Sequence, residues 1–141
     1  MRLWHIDIIP YLPRSQLIAQ WRELNSIFKK QDNHILINYI YGYHKAYLFT
    51  YTQKVLSEMK YRDIKFHSKE NYTNYFSDVS LLPNYDNFVN LRYNEHNDEY
   101  LTICYYNLKE KYLRGQKDFT DDVWQKLNEF YARKQHKVAK E

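Results

Sequence analysis

The sequence predicts an all-α fold: a compact single domain of three main helices plus an additional C-terminal helix, spanning residues 1–141. Three observations lead there. Apolar residues recur at helical spacing in four separate runs. Glycine occurs 2 times and proline 3 times, too rarely for the turns of a sandwich or barrel and for a Gly-rich phosphate loop. Aromatic residues make up 18% of the chain, with 16 tyrosines among them, which supplies a core and sets the chain apart from low-complexity disorder.

The elements follow in order. An extended start runs from Met1 to Tyr11. Pro13 stands where a helix can begin, and Leu17, Trp21, Leu24 and Phe28 then form one apolar stripe on a first helix. A second run, broken or bent near Gly42, carries Tyr47, Leu48, Tyr51, Val55, Leu56 and Met59 and fades around Arg62. Residues 67–96 read as a long connection, Asn-rich and interrupted by Pro83, with room for one short element. Helix resumes near Asp98, puts Leu101, Cys104, Tyr105 and Leu108 on one face, and stops at Gly115. In the last helix Thr120 is the expected N-cap, Asp121 and Asp122 suit the positive end of the dipole, and Trp124, Leu127, Phe130 and Tyr131 form the apolar side. The basic tail Arg133 to Lys140 is expected to fray. No internal repeat divides the chain.

Charge is uneven along the sequence. Residues 1–66 hold 10 basic and 5 acidic side chains, residues 67–99 hold 2 and 6, and residues 100–141 hold 9 and 6, for a net charge of +4. If the two basic ends pack together they present one cationic face suited to a polyanion; the plainer reading is a set of solvated helix faces. A single cysteine, Cys104, permits neither an internal disulfide nor a cysteine zinc site. His34 and His44 have no partner at metal-ligand spacing, so no metal and no cofactor is expected. With no long apolar run and no signal-type segment, the chain is expected to be cytoplasmic, without a membrane partner, and monomeric.

Glu23 is the first residue that asks for a reason. It lies off the apolar stripe, and its neighbours at i−4, i−3, i+3 and i+4 are Ala19, Gln20, Ser26 and Ile27. None is a cation, so the usual i,i+4 justification for a helical glutamate is missing. Small and apolar neighbours allow something to dock against that face and raise the carboxyl pKa by desolvation; solvent exposure is the commoner fate of such a residue.

The segment Pro13-Arg14-Ser15-Gln16-Leu17-Ile18-Ala19-Gln20-Trp21-Arg22-Glu23-Leu24, after the opening Met1-Arg2-Leu3-Trp4-His5, resembles the pyrimidine-dimer DNA glycosylase family, whose founder is a phage endonuclease V. The opening pentapeptide is similar to a bacterial branch of it. Glu95-His96-Asn97-Asp98-Glu99-Tyr100-Leu101, continuing to Leu108-Lys109-Glu110-Lys111, is similar to the start of the family's last core helix. The likeness covers most of residues 1–113, leaving 114–141 as an extra C-terminal helix and basic tail.

The resemblance implies a small all-α enzyme that excises a damaged base from double-stranded DNA and then nicks the strand by β-elimination. The nucleophile is the N-terminal α-amine, which forms a Schiff base with the deoxyribose, and a helix-1 glutamate assists ring opening and proton transfer. The chemistry is reasonable, since an α-amine titrates near 8, about two units below lysine. By resemblance Met1 and Glu23 are the catalytic residues, and Arg22 and Lys111 hold DNA phosphates. Arg14 joins the candidate DNA-binding residues because the family's arginines elsewhere fall here on Leu3, Ser26 and Asn107, which leaves Arg14, Lys29 and Lys30 to rebuild those contacts. Arg2 is a further candidate DNA-binding residue and also the main departure: the founder carries a small residue there and loses its initiator methionine, whereas a bulky second side chain predicts that Met1 stays. The alternative is a non-catalytic DNA-binding protein that keeps the fold, with Arg2 in the place where the amine once worked. His5 is open between a proton-sharing or phosphate role and packing; His96 reads as a structural hydrogen-bonding residue; and Tyr39, Tyr41, Tyr43 and Tyr47 read mainly as packing, with base stacking by one of them as the functional alternative.

Overall fold

Pro13 lies immediately before the first helix as its N-cap, its carbonyl accepting from the main-chain N–H of Gln16 (3.0 Å) and Leu17 (3.1 Å). That helix, α1, spans Arg14–Lys29 in the computed structural model, which describes residues 1–66, 68–78 and 91–140. The stripe Leu17, Trp21, Leu24 and Phe28 is buried as predicted, and Gln20 and Ile27 are buried beside it.

The first 11 residues differ from the expected extended start: Ile6–Tyr11 form a 3-10 helix. Pro10 lacks the N–H that a continuing helix needs, and the turn is short. Its Ile6, Ile8 and Ile9 are buried, which makes it part of the core.

Near Gly42 the second run is interrupted outright. A 3-10 helix, Asn38–Gly42, precedes a separate helix α2, Lys45–Tyr61, whose N-cap His44 accepts at Nδ1 from the Ala46 N–H (3.0 Å). Buried positions on α2 include Ala46, Thr50 and Thr52 besides the predicted Leu48, Tyr51, Val55, Leu56 and Met59, because the helix packs against both α1 and the Ile6–Tyr11 turn. Arg62 closes α2; its guanidinium donates to the carbonyls of Leu12 (2.7 Å) and Pro10 (2.9 Å). Among the described residues, the short element in the connection is α3, Glu70–Tyr75, packed on α1. Pro83 lies outside the described residues.

Helix α4, Asp98–Leu113, is capped by Asn97, whose Oδ1 accepts from the Tyr100 N–H (2.9 Å), and it buries the four predicted residues Leu101, Cys104, Tyr105 and Leu108. Gly115 follows with φ 81, a conformation glycine adopts without strain. Thr120 caps α5, Asp121–Lys140, accepting at Oγ1 from the Val123 N–H (3.4 Å). The basic tail is helical through Lys140, contrary to the expected fraying. One reason is local: Lys134 reaches Asp7 (3.7 Å), while Tyr11 stacks on Phe130 at 4.4 Å. The two ends of the chain thus pack together, α5 lying on α4 and on the Ile6–Tyr11 turn. Among the described residues there is no strand, and no helix is long and apolar enough to cross a membrane.

Candidate active site

A buried stretch of irregular backbone must find partners for its polar groups outside any helix or sheet ladder. Residues 2–6 find them on side chains from several directions. Gln20, on α1 and 0% exposed, donates from Nε2 to the Arg2 carbonyl (3.1 Å) and accepts at Oε1 from the Trp4 N–H (2.8 Å). Tyr51, on α2, directs its hydroxyl at both the Trp4 carbonyl (2.7 Å) and Gln20 Oε1 (2.9 Å), a single proton shared between two acceptors. From α4, the Tyr100 hydroxyl donates to the Leu3 carbonyl, and Cys104 Sγ accepts from the His5 N–H (3.4 Å). His96, just before α4, accepts at Nδ1 from the Ile6 N–H (3.0 Å). This cradle gives the backbone of residues 2–6 side-chain partners from α1, α2, His96 and α4.

The same Gln20 turns its Nε2 toward Glu23 Oε2 at 3.2 Å. Glu23 is half-buried, and burial is the largest influence on its carboxyl, raising the pKa above the usual glutamate value. Opposing that, in order of strength, are the N-terminal amine, the Arg2 main-chain N–H, and the charges of Arg2 and Arg22. The cations missing from the i±3 and i±4 positions are thus supplied by the start of the chain and by the adjacent Arg22. Ion pairs among the described residues join Lys45 to Asp78, Arg62 to Glu58, Arg92 and Lys134 to Asp7, and Arg114 to Glu110; none closes directly between the amine and Glu23.

Arg2 is held by aromatic rings, its guanidinium 5.8 Å from the Trp4 ring centre and 5.9 Å from that of Tyr100. It also acts on the Tyr100 hydroxyl and the Cys104 thiol, lowering the pKa of each against the larger rise caused by burial. Arg22 is exposed beside Glu23 on α1. Arg14 and Lys111 belong to another region. Arg14 opens α1 beside Ser15, whose N–H and hydroxyl both donate to Asp118 (2.6 and 2.9 Å). The Lys111 carbonyl accepts from the Gln116 N–H (3.1 Å), and the Gln116 side chain meets Gln16 (3.0 Å) and Ser15 (2.9 Å). Lys111 is thus tied to the start of α1, while Glu23 sits about 13 Å further along that helix at 1.5 Å per residue. The structure brings Met1, Arg2, Arg22 and Glu23 together and leaves Arg14 and Lys111 near the start of α1, with Arg14 about 180° around the helix from Glu23.

Three positions where the resemblance would put arginines are accounted for differently. Leu3 is fully buried; Ser26 donates to the Arg22 carbonyl (3.3 Å), and Asn107 to that of Ile103 (2.8 Å). His5 resolves to packing: it is buried, stacks on His96 at 5.5 Å, and accepts at Nδ1 from the Asp7 N–H (3.1 Å). His96 is structural, as read from sequence. Its Nδ1 is occupied as an acceptor, which assigns the proton to Nε2, facing the Tyr39 hydroxyl at 2.8 Å. Burial and the neighbouring His5 push its pKa down to about 3. Tyr39, Tyr43 and Tyr47 gather around Tyr93, with ring centres 4.8 to 5.7 Å away, so packing accounts for these three. Among the described residues no group of three or more His, Cys, Asp or Glu side chains is placed to hold a metal ion.

Sequence reasoning missed Gln20, Tyr51 and Tyr100. Gln20 alone left a trace, as the i−3 neighbour of a glutamate with no cation nearby.

The all-helical fold sets Arg22 and Glu23, on its first helix, beside the start of the chain, and a family comparison makes the assignment. The model of the pyrimidine dimer DNA glycosylase family matches residues 1–71, half of the chain, a span that includes Met1, Arg2, Arg14, Arg22 and Glu23 and excludes Lys111. The chain belongs to the pyrimidine dimer DNA glycosylase family. No curated protein and no solved structure matches it.

Proposed function

We propose that the chain is a DNA glycosylase with AP lyase activity on duplex DNA carrying pyrimidine dimers, and that the α-amine of a retained Met1 is its nucleophile. The amine lone pair forms a bond to C1′ of the deoxyribose as the bond from C1′ to the base breaks. Opening of the sugar breaks C1′–O4′ with a proton delivered to O4′, leaving an imine on Met1. Loss of a C2′ proton then expels the 3′ phosphate, and water releases the amine. Glu23 handles these protons: its raised pKa brings it closer to neutral pH, where one group can both give and take a proton. Arg2 and Arg22 neutralise phosphates at the reacting sugar, and Arg14 and Lys111 hold the duplex farther along.

The observation that carries this reading is that one buried amide, Gln20 Nε2, donates to both Glu23 Oε2 (3.2 Å) and the Arg2 carbonyl (3.1 Å), which sets the half-buried carboxyl beside the start of the chain and its amine. A surface glutamate kept for helix stability has no use for a fixed chain terminus. The test is incubation with an abasic duplex followed by borohydride, which reduces an imine to a stable amine. Wild type yields a covalent complex, and Glu23→Gln cuts strand incision by about a hundredfold or more. Incision at the wild-type rate by Glu23→Gln would sink the assignment of Glu23.

A further inference from the structure

The connection leaving α1 presents two large apolar side chains to water: Ile35 is 81% exposed and Leu36 is 42% exposed. The turn beneath them is tightly built. Asp32 Oδ1 accepts from the His34 N–H (2.9 Å), His34 Nδ1 from the Leu36 N–H (3.1 Å), and the His34 carbonyl from the N–H groups of Ile37 (3.0 Å) and Asn38 (2.9 Å). Ile37 anchors it in the core, and the Asp32 N–H donates to the Tyr41 hydroxyl (2.8 Å). Folding gains nothing from apolar side chains raised on such a support.

The surroundings indicate what they meet. Lys29 and Lys30 are exposed at the root of the turn and appear in none of the ion pairs among the described residues. With Lys45, Tyr41 and Tyr75 they line a cleft of about 390 Å³. Lys45 is partly engaged, 3.8 Å from Asp78 and 4.3 Å above the Tyr75 ring. A cationic cleft beside an apolar tip matches a polyanion with a stackable interior. Lys29 lies six residues beyond Glu23, about 9 Å along α1, or between two and three base-pair steps of a duplex at 3.4 Å each.

We infer that Ile35, backed by Leu36, is a wedge that enters the DNA duplex between base pairs close to the reacting sugar, while Lys29, Lys30 and Lys45 take the phosphates of the displaced backbone. Isoleucine and leucine inserted from the minor groove unstack a step and bend the helix toward the major groove. The opening lowers the cost of exposing a sugar otherwise shielded by stacked bases. The inference rests on duplex DNA being the substrate, and its placement near the reacting sugar rests on Glu23 marking that sugar; the insertion itself needs no imine chemistry at Met1.

The probe is a duplex holding a tetrahydrofuran abasic analogue, which has no aldehyde and forms no imine, with 2-aminopurine placed at successive positions on either side. Wild type raises fluorescence at one or two adjacent positions. Ile35→Ser removes that rise and weakens duplex binding about tenfold, while the thermal midpoint holds because the side chain is exposed. Lys29→Ala with Lys30→Ala lowers the slope of log affinity against log salt by about two and leaves the position of the fluorescence change where it was. Equal fluorescence and affinity in wild type and Ile35→Ser overturn the wedge, even if borohydride trapping succeeds. Ile35-dependent binding to phosphatidylglycerol vesicles, with no fluorescence change on the duplex, also overturns it and assigns the tip to a lipid surface.

Discussion

At the scale of single residues, Gln20 links structure to chemistry. It is a fully buried polar side chain whose amide satisfies the Trp4 N–H and the Arg2 carbonyl and also touches Glu23. Replacing it with a similarly sized apolar side chain strands two buried backbone groups, each at a cost of about 1–3 kcal/mol. Gln20→Leu is therefore expected to destabilise the protein by about 3 kcal/mol, read from the midpoint of urea unfolding. Loss of the amide at Glu23 Oε2 should also move the acid limb of the incision profile further upward in pH. An unchanged midpoint would mean that the cradle does not hold the N-terminus. Little of this was legible in the sequence. Glu23 stood out because its helix offers no cation, but the groups that answer it, Met1 and Arg2, are more than 20 residues away, and no local pattern reports a contact at that range.

At the scale of elements, legibility follows burial geometry. Helices α1 and α4 each bury one face, so their stripes were readable from spacing alone. Helix α2 packs on two sides and buries Thr50 and Thr52 along with its apolar residues, which blurred its start, while the break near Gly42 was legible from the glycine itself. The two glycines test the reading of the turns. An added Cβ meets nothing within 4 Å at either Gly42 or Gly115, but only Gly115 has positive φ, at +81. Gly115→Ala should cost about 1 kcal/mol through backbone strain alone, whereas Gly42→Ala should be neutral or stabilising by a few tenths of a kcal/mol. Equal effects in thermal melts would contradict the left-handed stop after α4.

For the whole molecule, the core is a large aromatic assembly with two neutral histidines inside it. His96 titrates at about 3 in the folded chain against roughly 6.5 when unfolded. A lowered folded value means the unfolded chain binds the proton more readily, so the stabilisation is complete above pH 6.5 and drains away as pH falls toward 3. His5, also lowered by burial, works in the same direction. Stability should fall by about 3 kcal/mol between pH 7 and pH 4 from His96 alone, and His96→Asn, which retains an acceptor near Nδ1, should remove most of that slope. A pH-independent urea midpoint across this window would refute the buried neutral assignment. The high aromatic content reads as core in the same way: Tyr39, Tyr43 and Tyr47 pack on Tyr93, and Tyr39 and Tyr93 pack on His96. His96 ties this assembly to the start of the chain by accepting from the Ile6 N–H (3.0 Å).

The most direct measurement is the position of the borohydride-reduced adduct. After trapping on an abasic duplex and nuclease digestion, peptide mass analysis should find the sugar remnant on the α-amine of the peptide beginning Met1-Arg2-Leu3, and N-terminal acetylation should abolish the adduct. An adduct on an internal lysine, or none with any abasic or dimer-bearing duplex, would contradict the assignment of Met1 as the nucleophile.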